Sequence, residues 1–402
     1  MKLNFEAGAK IDKIIIKDGD SCKEMSFDEW YKSVYPITVN NLDEFKTALS
    51  EGYRNIIVTK TLDIESNQTL SATKQTKVTT VDKITMFNVK EGQSLTLENI
   101  ILDGENKYKV DVTKAATMHN DPFNVFGEYP TEQTRVYAAT PLINSNGTLT
   151  LGAGTVIRNY AHQPVSPQYG GPAISVTGGS VIINGLEFTN NVSQLLTAKN
   201  ATVTINNINV HDTWATGNKA GLIEINTGAT MDVNNGTFKN NMMSMRSAGL
   251  FIANGGTINM KGGHYENNAS TRNGSNTSGS LFMVETTGKI YMTGGTIINN
   301  IGYRAGAFSS RWTQEGSVVE LNGGTIKNNT TRNADFKNAS IFARSYFKIG
   351  KDMIIEDKVV ADAATAVIDN YGKIVGDVEV TNINGKFNNH GTVTGTITVP
   401  QP

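Results

Sequence analysis

Four arginines, Arg246, Arg272, Arg304 and Arg332, recur at nearly one position of a repeated pattern. Each follows an apolar anchor of that pattern at almost the same offset: Val233, Met260, Met292 and Leu321 respectively. Turn chemistry asks for Gly, Asn or Asp at such places. Composition does not supply the row by chance, because Lys and Arg together make only 36 of 402 residues. Aligned guanidinium groups repel one another modestly, so an anionic partner stabilises them. Trp214 and Trp312 lie in other loops and could flank the edge. The row is the first candidate ligand-binding edge. Its plain alternative is that each arginine bonds carbonyls or acids of its own chain.

A second candidate is an insertion at 104–140. It holds Glu105, Asp111, Asp121, Glu128 and Glu132 beside Tyr108, Phe123, Phe126, Tyr129 and Tyr137. The next loop, 158–171, adds Arg158, His162 and Tyr169. Arg158 could act as the base of a lyase, with His162, Asp121 and Tyr129 around it. The acids could gather calcium, although no two show calcium-loop spacing. The plain alternative is aromatics that pack the loop down and acids that face water.

Elsewhere the chemistry is thin. The five histidines, at 119, 162, 211, 264 and 390, lack metal-ligand spacing. A glycosidase needs two carboxylates about 5 to 9.5 Å apart. Asp232 and Glu320 share one outward position but lie three coils apart, roughly 14 Å. Glu187, Asp212 and Glu266 occupy other positions with no evident mate. No catalytic residue, metal ligand or cofactor is expected, calcium in the insertion aside.

The element that must position these residues is a repeat. Pieces such as SVIINGLEFTNN (180–191), TMDVNNGTFKNN (230–241), TINMKGGHYENN (257–268), KIYMTGGTIINN (289–300) and VVELNGGTIKNN (318–329) align without gaps. Each reads apolar-x-apolar, a Gly or Asn turn, a second apolar stretch, then Asn-Asn. The anchors are Leu97, Leu151, Ile183, Ile205, Val233, Met260, Met292, Leu321 and Ile349. Their spacing is widest from Leu97 to Leu151, where the insertion lies, and narrowest from Ile183 to Ile205, which fits a single bare coil. A third apolar strand precedes most copies, at 172–176, 221–225, 249–253, 280–284, 340–344 and 365–369. Strands this short find partners only by stacking in parallel, coil upon coil, around one continuous core. Gly-Gly and Asn suit corners with φ > 0, and stacked Asn-Asn pairs would form amide ladders.

Composition agrees. The chain has 44 Asn, 46 Thr and 39 Gly, which favours short strands and tight turns over helix. Net charge is −1, so nothing global attracts nucleic acid or an anionic membrane. One cysteine, Cys22, excludes an intrachain disulfide framework. No apolar run is long enough for a transmembrane helix. The start lacks the apolar core of a signal peptide and the tail lacks an anchor, so a segment of a longer surface protein is expected.

The expected organisation is a lead at 1–36, a cap and first strand at 37–65, a β-helix at 66–371 and narrower steps at 372–402. Within the cap, Asn41 can start a helix over 42–50 with Leu42, Phe45 and Leu49 on one face. The expected fold is thus all-β, a right-handed parallel β-helix with an N-terminal amphipathic capping helix.

The repeat resembles the right-handed parallel β-helix of pectate-lyase-like proteins. Its Gly-Gly-Thr-Ile and Phe/Tyr/Ile-x-Asn-Asn pairing is similar to the repeats of large bacterial and archaeal adhesin-like surface proteins. It also resembles the GG(A/I) and FxxN repeats of chlamydial polymorphic membrane adhesins. The resemblance spans roughly residues 38–399 and implies fold more than function, since this scaffold carries many activities. Motifs of polygalacturonase-like hydrolases (Asn-Thr-Asp, Asp-Asp, Gly-His-Gly, Arg-Ile-Lys) and the Trp-Ile-Asp-His element of pectate lyases do not occur. The functional expectation is a non-catalytic, extracellular surface module that binds a glycan or a partner cell. A polysaccharide lyase or hydrolase, including a phage tailspike depolymerase, is the alternative. A structural spacer is the third.

Overall fold

The computed structural model describes residues 11, 13–18, 21–81, 84–105, 140–161, 171–216, 221–244, 249–270, 280–310 and 316–401. They form a parallel β-helix. The nine anchors, Leu97 to Ile349, are all 0% exposed and are register partners in sequence. A second inward column follows the corner: Ile157, Phe188, Val210, Phe238, Tyr265, Ile297, Ile326 and Ile355. The third face is a 13-stranded parallel sheet that contributes Phe251, Phe282 and Phe308. Alternation along each strand sends every second residue inward, and burying each large side chain contributes about 1.5–3 kcal/mol.

The corners divide the labour of each Asn-Asn pair. The first Asn is left-handed, with φ of 54° at Asn190, 56° at Asn240, 54° at Asn267, 57° at Asn299 and 56° at Asn328. The second turns inward and is buried. In the last three pairs its Oδ1 accepts both the backbone N–H and the side-chain amide of the Asn one coil before. Asn268 accepts from Asn241 at 3.0 and 3.0 Å, Asn300 from Asn268 at 2.9 and 3.0 Å, and Asn329 from Asn300 at 3.0 and 2.9 Å. The amides also donate to inward carbonyls, Asn300 to Tyr265 at 3.0 Å for example. The ladder ends on Asp357, which accepts from the Asn329 backbone and amide, both at 3.0 Å. At the other corner the second glycine of each pair carries the positive φ: 102° at Gly263, 104° at Gly295 and 114° at Gly324. In the Asn234-Asn235 coil it falls on Gly236 instead, at 153°.

The lead at 1–36, expected as a linker or an extra strand, carries strands. Ile14–Asp18 and Ser21–Met25 form an antiparallel hairpin, followed by helix α1, Phe27–Val34, with a Ser26/Glu29 capping box. The first coil begins at Ile37–Val39, paired with Asn55–Val58. Between them lies helix α2, Leu42–Ser50, whose N-cap Asn41 accepts from the Glu44 N–H at 2.9 Å. It buries Phe45, Ala48 and Leu49, with Phe45 edge-on to Phe87 at 5.8 Å.

Two further readings change. Residues 365–369 are not a third-face strand: Val367–Asn370 pairs with Tyr346–Ile349 in the anchor face, and Lys358–Ala361 takes the third face in that coil. The cause is coil shortening. From Val367 onward the coils are narrower, as the pairing of Val367 with Lys386 and of Val378 with Ile397 shows. A fourth short sheet, running from Trp214–Thr216 to Thr330–Thr331, escaped sequence reading because its strands are too short to show a period.

Two variants test this packing. Leu321→Asp places an unpaired charge in the anchor column and should cost more than about 4 kcal/mol by denaturant unfolding. Asn300→Ala strands the groups of Asn268 and should cost about 2–3 kcal/mol, whereas an exposed control, Asn328→Gly, should cost less than about 1 kcal/mol.

Candidate functional site

The residues expected to bind are only partly described. Arg246, Arg272, Trp312, Asp121, Tyr129 and His162 lie outside the described residues, as does the insertion from 106 to 139. Trp214 is corrected: it is 4% exposed, its backbone N–H bonded to the Asn191 carbonyl at 2.8 Å, so it offers no face to a ligand. It opens the fourth sheet, paired with Met242 of the next coil.

The two described arginines also turn toward their own chain. The Arg304 side chain is 11% exposed and 3.8 Å from Asp362. Its guanidinium lies 5.1 Å from the Phe342 ring, and Arg344 lies at the same distance from that ring. Arg344 holds Asp362 at 2.7 Å. Burial, then the neighbouring Arg344, lower the Arg304 pKa, and Asp362 offsets part of this. Burial pushes the Arg332 guanidinium down to about 10, still protonated at neutral pH. Arg304 behaves as a brace between coils, because the 334–343 segment brings Phe336 and Phe342 against this corner.

Arg158 is engaged as a donor. Its Nε bonds Asp103 Oδ2 at 2.9 Å, while Asn159 and the Glu105 N–H bond Oδ1 at 3.0 and 2.8 Å. A donor held by a carboxylate is the opposite of a base awaiting a proton. Burial would raise the Asp103 pKa, but these bonds outweigh it and lower it. Glu105 pairs with Lys77 at 2.9 Å rather than with another acid.

Register exposes a cluster that the sequence hid. A short coil sets His211 beside Thr189, one coil on from Glu187. His211 Nε2 is 3.2 Å from Glu187 and Nδ1 is 2.8 Å from Asp212. Each ring nitrogen faces a different carboxylate, so the three groups cannot converge on one ion. Among the described residues no group of His, Cys, Asp or Glu is arranged to hold a metal. The short spacing between the Ile183 and Ile205 anchors was the available signal.

An open constellation lies on the anchor face near residues 320–390. Tyr371 is 46% exposed and stacked on His390, with ring centroids 4.9 Å apart and planes at 19°. It walls a shallow cleft of about 550 Å³, shared with Glu320, Asn322, Tyr346, Lys348, Gly350 and Lys351. The Tyr346 hydroxyl donates to Asp369 at 3.1 Å, and Asn388 donates to the same carboxylate at 2.8 Å. Burial and that carboxylate push the Tyr346 hydroxyl up to about 12, so it remains a donor at neutral pH. Lys348 lies 3.6 Å from Glu320. Glu320, Lys348 and Asp369 are successive register partners, so the two acids sit two coils apart, about 10 Å, with an ammonium between them. That suits a polar binding surface better than an acid/base pair. No Gly-Gly pair falls in 371–390, and the sequence analysis did not single it out.

No protein-family model, curated protein or solved structure matches this chain. No helix among the described residues is long and apolar enough to cross a membrane.

Acid should destabilise the fold through the carboxylates with lowered pKa. Asp63, Asp103 and Asp232 are all lowered, Asp63 chiefly by its bond from Asn88 and Asp232 by bonds from Lys261 and Asn259 that outweigh burial. Their stabilisation is complete above the ordinary value of 3.8 and is lost as pH falls through the lower folded values. Melting temperature should therefore fall steeply below about pH 4, and Asp103→Asn should flatten that fall.

Proposed function

We propose that the protein is a non-catalytic glycan-binding module of an extracellular surface protein. The observation that carries this reading is the exposed Tyr371 ring, held in place by His390 beneath it. A sugar presents an apolar C–H face and a rim of hydroxyl groups. An exposed aromatic face takes the first, and rigid neighbours with donors and acceptors take the second. Glu320, Asn322 and Lys348 supply that rim within the same cleft. Glu320, Asn322 and Lys348 stand on paired strands rather than loops, so little of their conformational entropy is lost when a ligand arrives. The flat, open shape suits recognition of a polymer surface.

Tyr371→Ala should abolish or weaken binding at least tenfold in a glycan array followed by calorimetry, with the melting temperature unchanged within about 2 °C. Bound glycans should be recovered at their original length. Shortened or unsaturated products would move the reading to a hydrolase or lyase.

A further inference from the structure

The anchor face changes character along its length. Toward the C-terminal end its outward positions hold Lys289, Tyr291, Val318, Glu320, Tyr346 and Lys348. In four successive coils nearer the N-terminal end the same two columns hold Ser94 and Thr96, Thr148 and Thr150, Ser180 and Ile182, and Thr202 and Thr204. Seven of these eight residues carry a hydroxyl, and none is charged or aromatic. Thr69 extends the second column by one coil and Thr230 extends the first by one. Strand geometry does not demand this choice, since the same columns accept Lys, Tyr, Val and Glu further along.

The result is a lattice of hydroxyl and methyl groups. Neighbours in a column stand about 4.8 Å apart, the two columns stand about 6.7 Å apart, and the array runs about 24 Å along the axis. Threonine is stiff at χ1, so little order has to be imposed on these side chains by a partner. Apart from a 3.2 Å bond from Ser180 to Thr148, the hydroxyl groups make no hydrogen bond among the described residues. The rims are low. Gly147 and Gly179 stand before two of the rows, and Gly152, Asn184 and Asn206 follow three of them. Asn206 donates to Asn184 at 2.8 Å, which ties that rim along the axis.

We infer that this array binds the surface of ice. A hydroxyl both donates and accepts, as a lattice water does. The methyl beside it makes no hydrogen bond and leaves the adjoining water to bond with itself. The two spacings lie close to the repeats of water oxygens on a prism face of hexagonal ice, so the rows can hold water where the crystal holds it. Other flat partners fit less well. The ring faces of a crystalline polysaccharide call for aromatic side chains, and an ionic mineral calls for charge; the array has neither. The inference is independent of the Tyr371 cleft, which lies on later coils of the rod.

The test uses the full chain in nanolitre osmometry, which reads the gap between melting and freezing of a single ice crystal. Protein labelled at the exposed Cys22 is followed into growing ice alongside it. The parent should open a gap, facet the crystal and enter the ice. Thr150→Tyr and Thr204→Tyr each break the level of the array, and each should lose all three effects with the melting temperature unchanged. Thr202→Lys takes their place if either unfolds. Thr392→Tyr, on an exposed strand outside the array, and Tyr371→Ala should behave as the parent. A parent that opens no gap and is excluded from ice would overturn the inference. So would array variants as active as the parent. Retention on microcrystalline cellulose that needs Thr150 and Thr204, with no effect on ice, would give the array to a polysaccharide and overturn it as well.

Discussion

Everything in this molecule depends on hydrogen bonding parallel to the long axis. Each strand is too short to be stable alone, and each finds its partners one coil above and below. The inward groups repeat this rule with side chains. A buried amide is costly unless each donor and acceptor is met. Asn241, Asn268, Asn300 and Asn329 meet that demand by bonding one another and the carbonyls beside them. The chain of donors must end on an acceptor, and Asp357, an acid in the position where the next Asn would stand, takes that place.

That constraint also decides what the surface can become. Register fixes the outward residues of successive coils in rows, so any functional group is repeated or opposed at about 4.8 Å intervals. Most rows are used internally. Lys90 and Asn88 hold Asp63, and Lys261 and Asn259 hold Asp232, two copies of one clamp in which an Asn-x-Lys strand grips an acid of the coil before. Lys239 and His264 both hold Glu266. Against this background the face around Tyr371 leaves an exposed ring beside the Glu320–Lys348 pair.

The scaffold was legible in the sequence and the surface was not. The anchor column could be read because inward positions admit only apolar residues, whatever the length of the loop between coils. The Asn-Asn pairs could be placed at a corner from their recurrence, although only the fold separates the left-handed Asn from the buried one. The row of arginines had a regular offset from the anchors, yet Arg304 packs on Phe342 and faces Asp362, two coils further on in the chain. A loop offset says nothing of which way a long side chain turns. Trp214 misled in the same way, since so short a strand leaves no period to read.

The sequence by itself therefore determined a stacked parallel β-helix, its core columns and its corner chemistry. Those features recur in each coil, and burial imposes the same residue type each time. Tertiary structure alone decided which outward groups meet. Glu187 reaches His211, and Tyr371 rests on His390, because the register sets them on adjacent coils. Coil length varies without changing the core pattern, so the neighbours across coils are set by register and not by any local signal in the chain.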